Sequence, residues 1–257
     1  MPNHPILLSE TSDLVLKLTL NRPPVNALNF ELIAALQEAL KVAERDPQIR
    51  CVLLSGVGSV FSAGQDLNSF TTGQKGYRAH LLRTYNPLIL QLRRLEKPVL
   101  AALNGPVSGA ALGLTLACDL RIAADSARFV VGFAGIGLAP DSGVSLLLPA
   151  LIGIGRATEY AFSNAPITAD QALAWGLVNR VVPTAELSTI ASNLAAGLAH
   201  GPIGALALAK RAFNQAVLGN LELVLDYEAH LQEIASPSPE HAEGVQAFFE
   251  KRPPRFV

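Results

Sequence analysis

Apolar and polar positions along the chain follow two periods in alternation. Leu14-Val15-Leu16-Lys17-Leu18-Thr19-Leu20 alternates toward its end and is closed by Asn21-Arg22-Pro23-Pro24, the pattern of an early strand running into a loop. Over residues 30–44 the apolar positions Leu32, Ile33, Leu36, Ala39, Leu40 and Ala43 recur at helical spacing, with Glu31, Gln37, Glu38 and Lys41 on the other face. Asn29 is placed to cap that helix, and Asp46-Pro47 ends it. Residues 51–56 form a short apolar run that predicts a buried strand. A helix over 77–94 leads into a strand over 99–103, and the order repeats. A helix begins in the small residues near Gly109, strands follow at 120–123 and 127–131, helices begin at Val144 and beyond Gly155, and Thr168-Ala169-Asp170-Gln171 reads as a capped helix start before a closing strand over 176–183. Strand and helix in alternation predict a parallel, layered α/β arrangement. Beyond Thr184 the pattern is almost wholly helical, with helices over 185–199, 203–218, 221–234 and 240–250.

Composition narrows the partners. Half of the 257 residues are hydrophobic, enough for one large core, and the formal net charge of −1 gives no basic field for a nucleic-acid backbone. The stretch between Lys97 and Asp119 carries no charge and approaches the length of a membrane span, but Pro98 and Asn104-Gly105-Pro106 interrupt it, which argues against a membrane role. The first residues show neither a basic segment ahead of a long apolar run nor an Arg-rich amphipathic pattern, so the expected location is the cytoplasm. Cys51 and Cys118 sit in apolar contexts that suit buried thiols, and no His or Cys spacing suggests a metal.

Two turns carry candidate chemistry: Ser62-Ala63-Gly64-Gln65-Asp66-Leu67, and Asn104-Gly105 with Ser108-Gly109-Ala110 beyond it. Small residues at a helix start let another group approach the first backbone N–H groups, which lack intrahelical acceptors; close packing of helix on sheet explains the same residues equally well. Together with FVVGFAGIGLAPDSG, ITADQALAWGLVNRVVP and the tail GVQAFFEKRPPRF, these blocks resemble the enoyl-CoA hydratase/isomerase, or crotonase, superfamily over nearly the whole chain. The resemblance implies an α/β fold, a ClpP-like spiral of ββα repeats over residues 1–195 that holds an acyl-CoA site. Residues 196–257 would be a helical region building a homotrimer or a dimer of trimers. The substrate would be an acyl-CoA thioester, with coenzyme A part of the substrate and no separate cofactor.

Carried over residue by residue, the resemblance assigns the oxyanion donors to the backbone N–H groups of Gln65 and Ala110, the latter following Gly109. Ala63, Asp66 and Leu67 would pack against the adenine end of the CoA, bordered by Val25 and Ala27, and Phe248 and Lys251 match tail positions that reach it. Asp66 reads equally as a turn-stabilising side chain and Lys251 as a solvated charge. Hydratases of the superfamily carry two glutamates that hold water; the aligned positions here are Gly113 and Phe133, and neither moves a proton. Asp141 is instead the one charged residue between Arg128 and Arg156. A carboxylate in apolar surroundings has its pKa raised, which suits a proton shuttle, and Asp141 is also placed to cap the following helix.

Dienoyl-CoA isomerases share that aspartate but add a glutamate where Phe133 stands. The 4-chlorobenzoyl-CoA dehalogenases pair it with a tryptophan at that place and a histidine where Leu90 stands. AGQDLN, YNPL at Tyr85 to Leu88, and GLAPDSG followed by LLLP are most similar to the ring 1,2-epoxyphenylacetyl-CoA isomerases of phenylacetate degradation, in which the aspartate acts alone. The reading is therefore an isomerase of this kind or a 3-enoyl to 2-enoyl-CoA isomerase. A hydratase or dehalogenase-like enzyme is one alternative, and a non-catalytic acyl-CoA-binding assembly partner is another. Phe70, Phe133, Ile136, Leu138 and Val144 are candidates for the acyl pocket, with ordinary core as the alternative.

Overall fold

The computed structural model describes residues 5–69 and 76–256. Phe70, a candidate for the acyl pocket, lies outside them. The strands are β1 (Leu7–Ser12), β2 (Val15–Leu20), β3 (Cys51–Gly56), β4 (Val99–Leu103), β5 (Val107–Ser108), β6 (Leu120–Ala124), β7 (Arg128–Val130), β8 (Ile167–Thr168) and β9 (Arg180–Val182). The helices are α1 (Phe30–Arg45), α2 (Tyr77–Arg83), α3 (Tyr85–Arg94), α4 (Ala110–Leu116), α5 (Val144–Ile152), α6 (Ile154–Ser163), α7 (Ala169–Ala174), α8 (Leu187–Ala199), α9 (Ile203–Val217), α10 (Leu221–Ala235) and α11 (Pro239–Glu250).

A six-stranded sheet runs in the order β1-β2-β3-β4-β6-β9, so the chain adds each strand beside the last and winds forward as a spiral. All its pairs are parallel except the β1–β2 hairpin. A small second sheet, β5-β7-β8, stands beside it. Period-two alternation sorts the strands' side chains into two apolar layers. Leu16, Leu18, Val52, Leu54, Val99, Ala101 and Ala123 face the main core, beneath α1, α3 and α4. Val15, Cys51, Leu53, Leu100, Ala102, Ile122 and Ala124 face the other way and are covered by Leu187, Ala191, Ala195 and Ala199, one i, i+4 row of α8. Alanines in that row let α8 lie close on the sheet. The division expected after residue 195 falls within this helix.

Two features depart from the pattern read in the sequence. β1 is an edge strand with mostly exposed residues, so it has no apolar alternation to announce it; its turn uses Asp13 and Leu14 at φ 50° and 63° rather than glycine. The helix expected over 77–94 is two helices, because Thr84 (φ −115°, ψ −81°) breaks it and its hydroxyl donates to His80 O at 2.6 Å. The break turns Tyr77, His80 and Leu81 on α2 and Tyr85 on α3 toward one cavity. α10 packs on α2, α3 and α5, and α11 packs on the turn Ala134–Ile136, so the last helices close that cavity's far side. Among the described residues no helix is long and apolar enough to cross a membrane.

Candidate active site

The cavity measures about 530 Å³ and lies between the 63–68 loop, α2, α3, the start of α4, the 130–141 segment and α11. Backbone hydrogen bonds fix its first wall: Ala63 N donates to Val25 O at 2.9 Å, Leu28 N to Gly64 O at 2.7 Å, and Asp66 N to Leu28 O at 2.9 Å. Buried Asn26 ties this wall to the strand ends, its Nδ2 donating to Val57 O and Val60 O at 2.9 and 2.8 Å. Gly64, at φ 88°, lies so close to the second turn that a Cβ there would stand 2.6 Å from Ser108 O and 3.4 Å from Ala110 N. Glycine at this position is what brings the Gln65 and Ala110 turns together. Ala110 is the first residue of α4, where the backbone N–H has no intrahelical acceptor.

Val25, Ala27, Ala63, Gln65, Asp66 and Leu67 line the near end of the cavity, and Gly109, Ala110, Phe133, Asp141 and Phe248 complete it. Of the expected pocket residues, Ile136 and Leu138 also line it, whereas Val144 is in the core. Lys251 does not line the cavity. It ends α11 in the left-handed region, φ 54°, and the adjacent Arg252 reaches the wall instead, paired with Glu243 at 2.6 Å. Asp66 accepts from Arg22 Nη2 at 2.9 Å and from Asn68 N at 3.0 Å. Burial acts to raise its pKa, but these donors prevail and hold it below the ordinary carboxylate value.

Asp141 is the other carboxylate in the cavity wall, 7% exposed. Its Oδ1 accepts from Ser142 Oγ at 2.7 Å and its Oδ2 from Gln232 Nε2 at 2.7 Å. Burial pushes it up to about 6, against the opposing pull of both donors. Its charge also raises the phenols of Tyr77 and Tyr85, each already raised by burial. The carboxylate does not cap α5. That function belongs to Glu228 of α10, which accepts from Gly143 N at 2.7 Å and from Ser145 N at 2.9 Å. Burial pushes Glu228 up to about 7 against those donors, with the Asp141 charge adding to the rise.

Packing explains why an acid is absent from α4. A Cβ on Gly113 would stand 2.4 Å from Ser142 O and 2.7 Å from Ser142 Cβ, so the space beside residue 113 is filled by the loop that presents Asp141. Ser142 adopts φ 56°, which a β-turn-forming serine tolerates only where its surroundings fix it. Phe133, 6% exposed, stands on the cavity wall with only its ring to offer.

Sequence reasoning overlooked Tyr77, His80, Glu228 and Gln232, and took Tyr85 only as a resemblance. Tyr85 is buried and donates to Gln65 Oε1 at 2.5 Å, while His80 Nε2 lies 3.2 Å from the same oxygen. Burial lowers the His80 pKa. A readable signal existed on α10: Leu221, Leu225, Glu228, Ala229 and Gln232 form its buried stripe, and an acid and an amide one turn apart on an apolar stripe need buried partners.

A family model described as enoyl-CoA hydratase/isomerase matches residues 10–257. The chain is 43% identical over 256 residues to the 1,2-epoxyphenylacetyl-CoA isomerase of Escherichia coli (strain K12), covering 98% of both chains. It is 39% identical over 249 residues to a probable enoyl-CoA hydratase of Rhodobacter capsulatus, covering 96% of both. The crystal structure of an enoyl-CoA hydratase from Mycobacterium avium subsp. paratuberculosis K-10 superposes with a TM-score of 0.90 at 35% identity, covering 98% of this chain and 99% of that one. Spiral, helical C-terminal region and sequence agree, and the chain belongs to the enoyl-CoA hydratase/isomerase family.

Proposed function

We propose that the protein is an acyl-CoA isomerase in which Asp141 is the sole acid–base group and the backbone N–H groups of Gln65 and Ala110 receive the thioester oxygen. The observation that carries this reading is the distribution of carboxylates around the cavity. Asp66 is paired with Arg22, whereas Asp141 is buried and raised to about 6. A pair of acids holding a water between them has no counterpart, since Gly113 has no room for a side chain and Phe133 has no proton to move.

One carboxylate suffices for an isomerisation. Asp141 takes a proton from the carbon beside the thioester, the negative charge spreads onto the thioester oxygen, and the same proton returns to a different carbon, so that no water is consumed. Donors preorganised at the oxygen, where charge develops, are each worth about 2.7–4 kcal/mol in enzymes from which one has been removed. A 3-enoyl-CoA becomes a 2-enoyl-CoA by this route. The relative named for 1,2-epoxyphenylacetyl-CoA supports a ring epoxide as the natural substrate, with the epoxide opening to a seven-membered oxepin thioester. Aromatic residues Tyr77, Tyr85 and Phe133 on the wall suit a planar acyl group. The near-end residues from Ala63 to Leu67, with Val25 and Ala27, would hold the CoA portion, and Phe248 the opposite rim. Exposed Leu208, Phe213, Leu223 and Tyr227 on the last helices support assembly into a trimer or a dimer of trimers.

The test is Asp141→Asn. Exchange of substrate carbon-bound protons with deuterated water, followed by NMR, should slow on the order of 100- to 10,000-fold. Calorimetric affinity for a CoA ester should change far less, because binding rests on the backbone of the two turns. Undiminished exchange in the variant would place the acid elsewhere. Binding without any exchange by the unmutated protein would favour the role of a non-catalytic assembly partner.

A further inference from the structure

α10 reaches the acid's loop through two side chains one helical turn apart. Glu228 takes the N–H groups of Gly143 and Ser145, and Gln232, fully buried, donates from one Nε2 to Ala139 O and to Asp141 Oδ2, both at 2.7 Å. Residues 139, 141, 143 and 145 are thus held by a helix that contributes nothing else to the carboxylate. The amide's orientation is fixed by chemistry. Turned over, Gln232 Oε1 would oppose a carbonyl oxygen and a carboxylate, both acceptors. In the orientation present, Oε1 is buried without a hydrogen-bond partner among the described residues. An orphaned acceptor is a cost that a leucine or methionine of similar size would avoid, so the amide is retained for its donor side.

The donors to Asp141 differ in kind. Ser142 Oγ can rotate and accept a hydrogen bond once the carboxyl carries a proton, whereas Gln232 Nε2 can only donate and so favours the charged carboxylate. Of the basic groups on the cavity wall, Arg252 is paired with Glu243, and His80, its pKa lowered by burial, lies beside Gln65 Oε1. Tyr77 on α2 and Tyr85 on α3 are phenols raised well above neutrality, Glu228 on α10 is an acid, and His241 on α11 is turned away, its Nε2 meeting Tyr77 OH at 2.9 Å and its Nδ1 donating to Ile136 O at 2.8 Å. We propose that Gln232 is a positioning residue whose fixed amide donor holds Asp141 ionised and aimed into the cavity, so that this carboxylate enters the reaction as a base. The proposal rests on the reading of Asp141 as the acid–base group.

The test compares Gln232→Met and Gln232→Glu with the parent, each made with Asp141 and with Asp141→Asn. Thermal stability is followed from about pH 4 to about pH 9. The difference between the Asp141 and Asn partners widens with pH and levels off at the ionisation of Asp141 in the folded protein, with no need for turnover. Levelling is expected near pH 6 in the parent, and about one unit higher in both Gln232 variants, because a donor to the charged form is gone and, in the Glu variant, a second acid is added. The acid limb of proton exchange should move by the same amount, with KM for the CoA ester changed by less than about twofold. Activity lowered equally at every pH, with the levelling point unmoved, would make Gln232 a packing residue and overturn the proposal. Should the Met variant lack a cooperative transition, the Glu variant decides by the same criterion. A levelling point that moves in a protein that exchanges no substrate protons upholds the hold of Gln232 on Asp141 and rejects the isomerase reading instead.

Discussion

Gly113→Ala is the substitution for which two rules of thumb oppose each other most directly. Gly113 lies inside α4, where alanine is the better helix former by about 0.8–1 kcal/mol. Propensity alone forecasts a more stable protein. The new Cβ, however, would meet Ser142 O at 2.4 Å and Ser142 Cβ at 2.7 Å, against an ordinary contact of about 3.5–4 Å. Something must move by about an ångström, and the neighbour is backbone rather than a flexible side-chain end. Overpacking of this kind costs typically about 1–3 kcal/mol, so the clash outweighs the propensity gain by up to about 2 kcal/mol. At about 2–4 °C per kcal/mol for a chain of this size, Tm should fall by a few degrees.

The larger effect is expected on turnover. Ser142 is held at φ 56° and donates to Asp141 Oδ1, so a shift of its backbone carries the carboxylate with it. A misplacement of about 1 Å at a reacting group can cost on the order of 100-fold. The assay is proton exchange on an enoyl-CoA or aryl-CoA ester beside calorimetric binding and a thermal melt. Exchange should drop on the order of 100-fold while affinity holds and Tm falls modestly. Unchanged exchange with a raised Tm would refute the reasoning, since it would mean that the Asp141 loop yields freely and that Gly113 is not what fixes the acid's position.

The pKa of Asp141 is raised on folding, from 3.8 to about 6, so the native state binds the proton more tightly and stability falls as pH rises through that window. At about pH 8 the ionisation cost is about 3 kcal/mol, and Asp141→Asn should recover about 2 kcal/mol of it after the loss of one hydrogen bond, raising Tm there but not below about pH 4. Hydration of crotonyl-CoA should be weak or absent because the other carboxylate on the cavity wall, Asp66, is paired with Arg22, and Gly113 and Phe133 offer no acid; a rate within about tenfold of an ordinary hydratase would mean that another group positions water. Light scattering at micromolar concentration should give a trimer or its doubled form, and a stable monomer would leave the exposed apolar residues of α9 and α10 without a role.

Elements with a clear period were legible from sequence to within a few residues. α1 with its Asn29 cap, accepting from Leu32 N at 2.9 Å, and α7 with its Thr168–Gln171 capping box carry their signals within one turn. Features set by tertiary packing were not. Within 77–94 the local signal for the break is Pro87, which has no N–H to donate to Arg83 O, and Gln37 Nε2, from α1, donates to Thr84 O at 2.8 Å and helps fix the kink from outside. α8 reads like the helices after it, yet its alanine row closes the sheet, and only the second apolar layer of the strands shows the difference.

The position of the acid itself shows how far local signals reach. Asp141 stood out as a lone charge in an apolar segment, and in the fold its side chain is buried. Its partner Gln232 was hidden because it lies 91 residues away on α10, across a separation that no periodicity spans. The blank at Gly113 is the more instructive case. From the sequence it is merely a missing glutamate, whereas in the fold it is the clearance that lets Ser142 approach α4 and turn Asp141 into the cavity. A glutamate at 113 and this loop conformation exclude each other sterically. Grafting Gly113→Glu alone should therefore displace the loop and abolish proton exchange without creating a hydratase, and hydration would require the 139–145 loop to be rebuilt as well. Hydration of crotonyl-CoA by the single variant, with exchange at Asp141 intact, would show that both acids fit one cavity and would undo this account of why the chain carries only one.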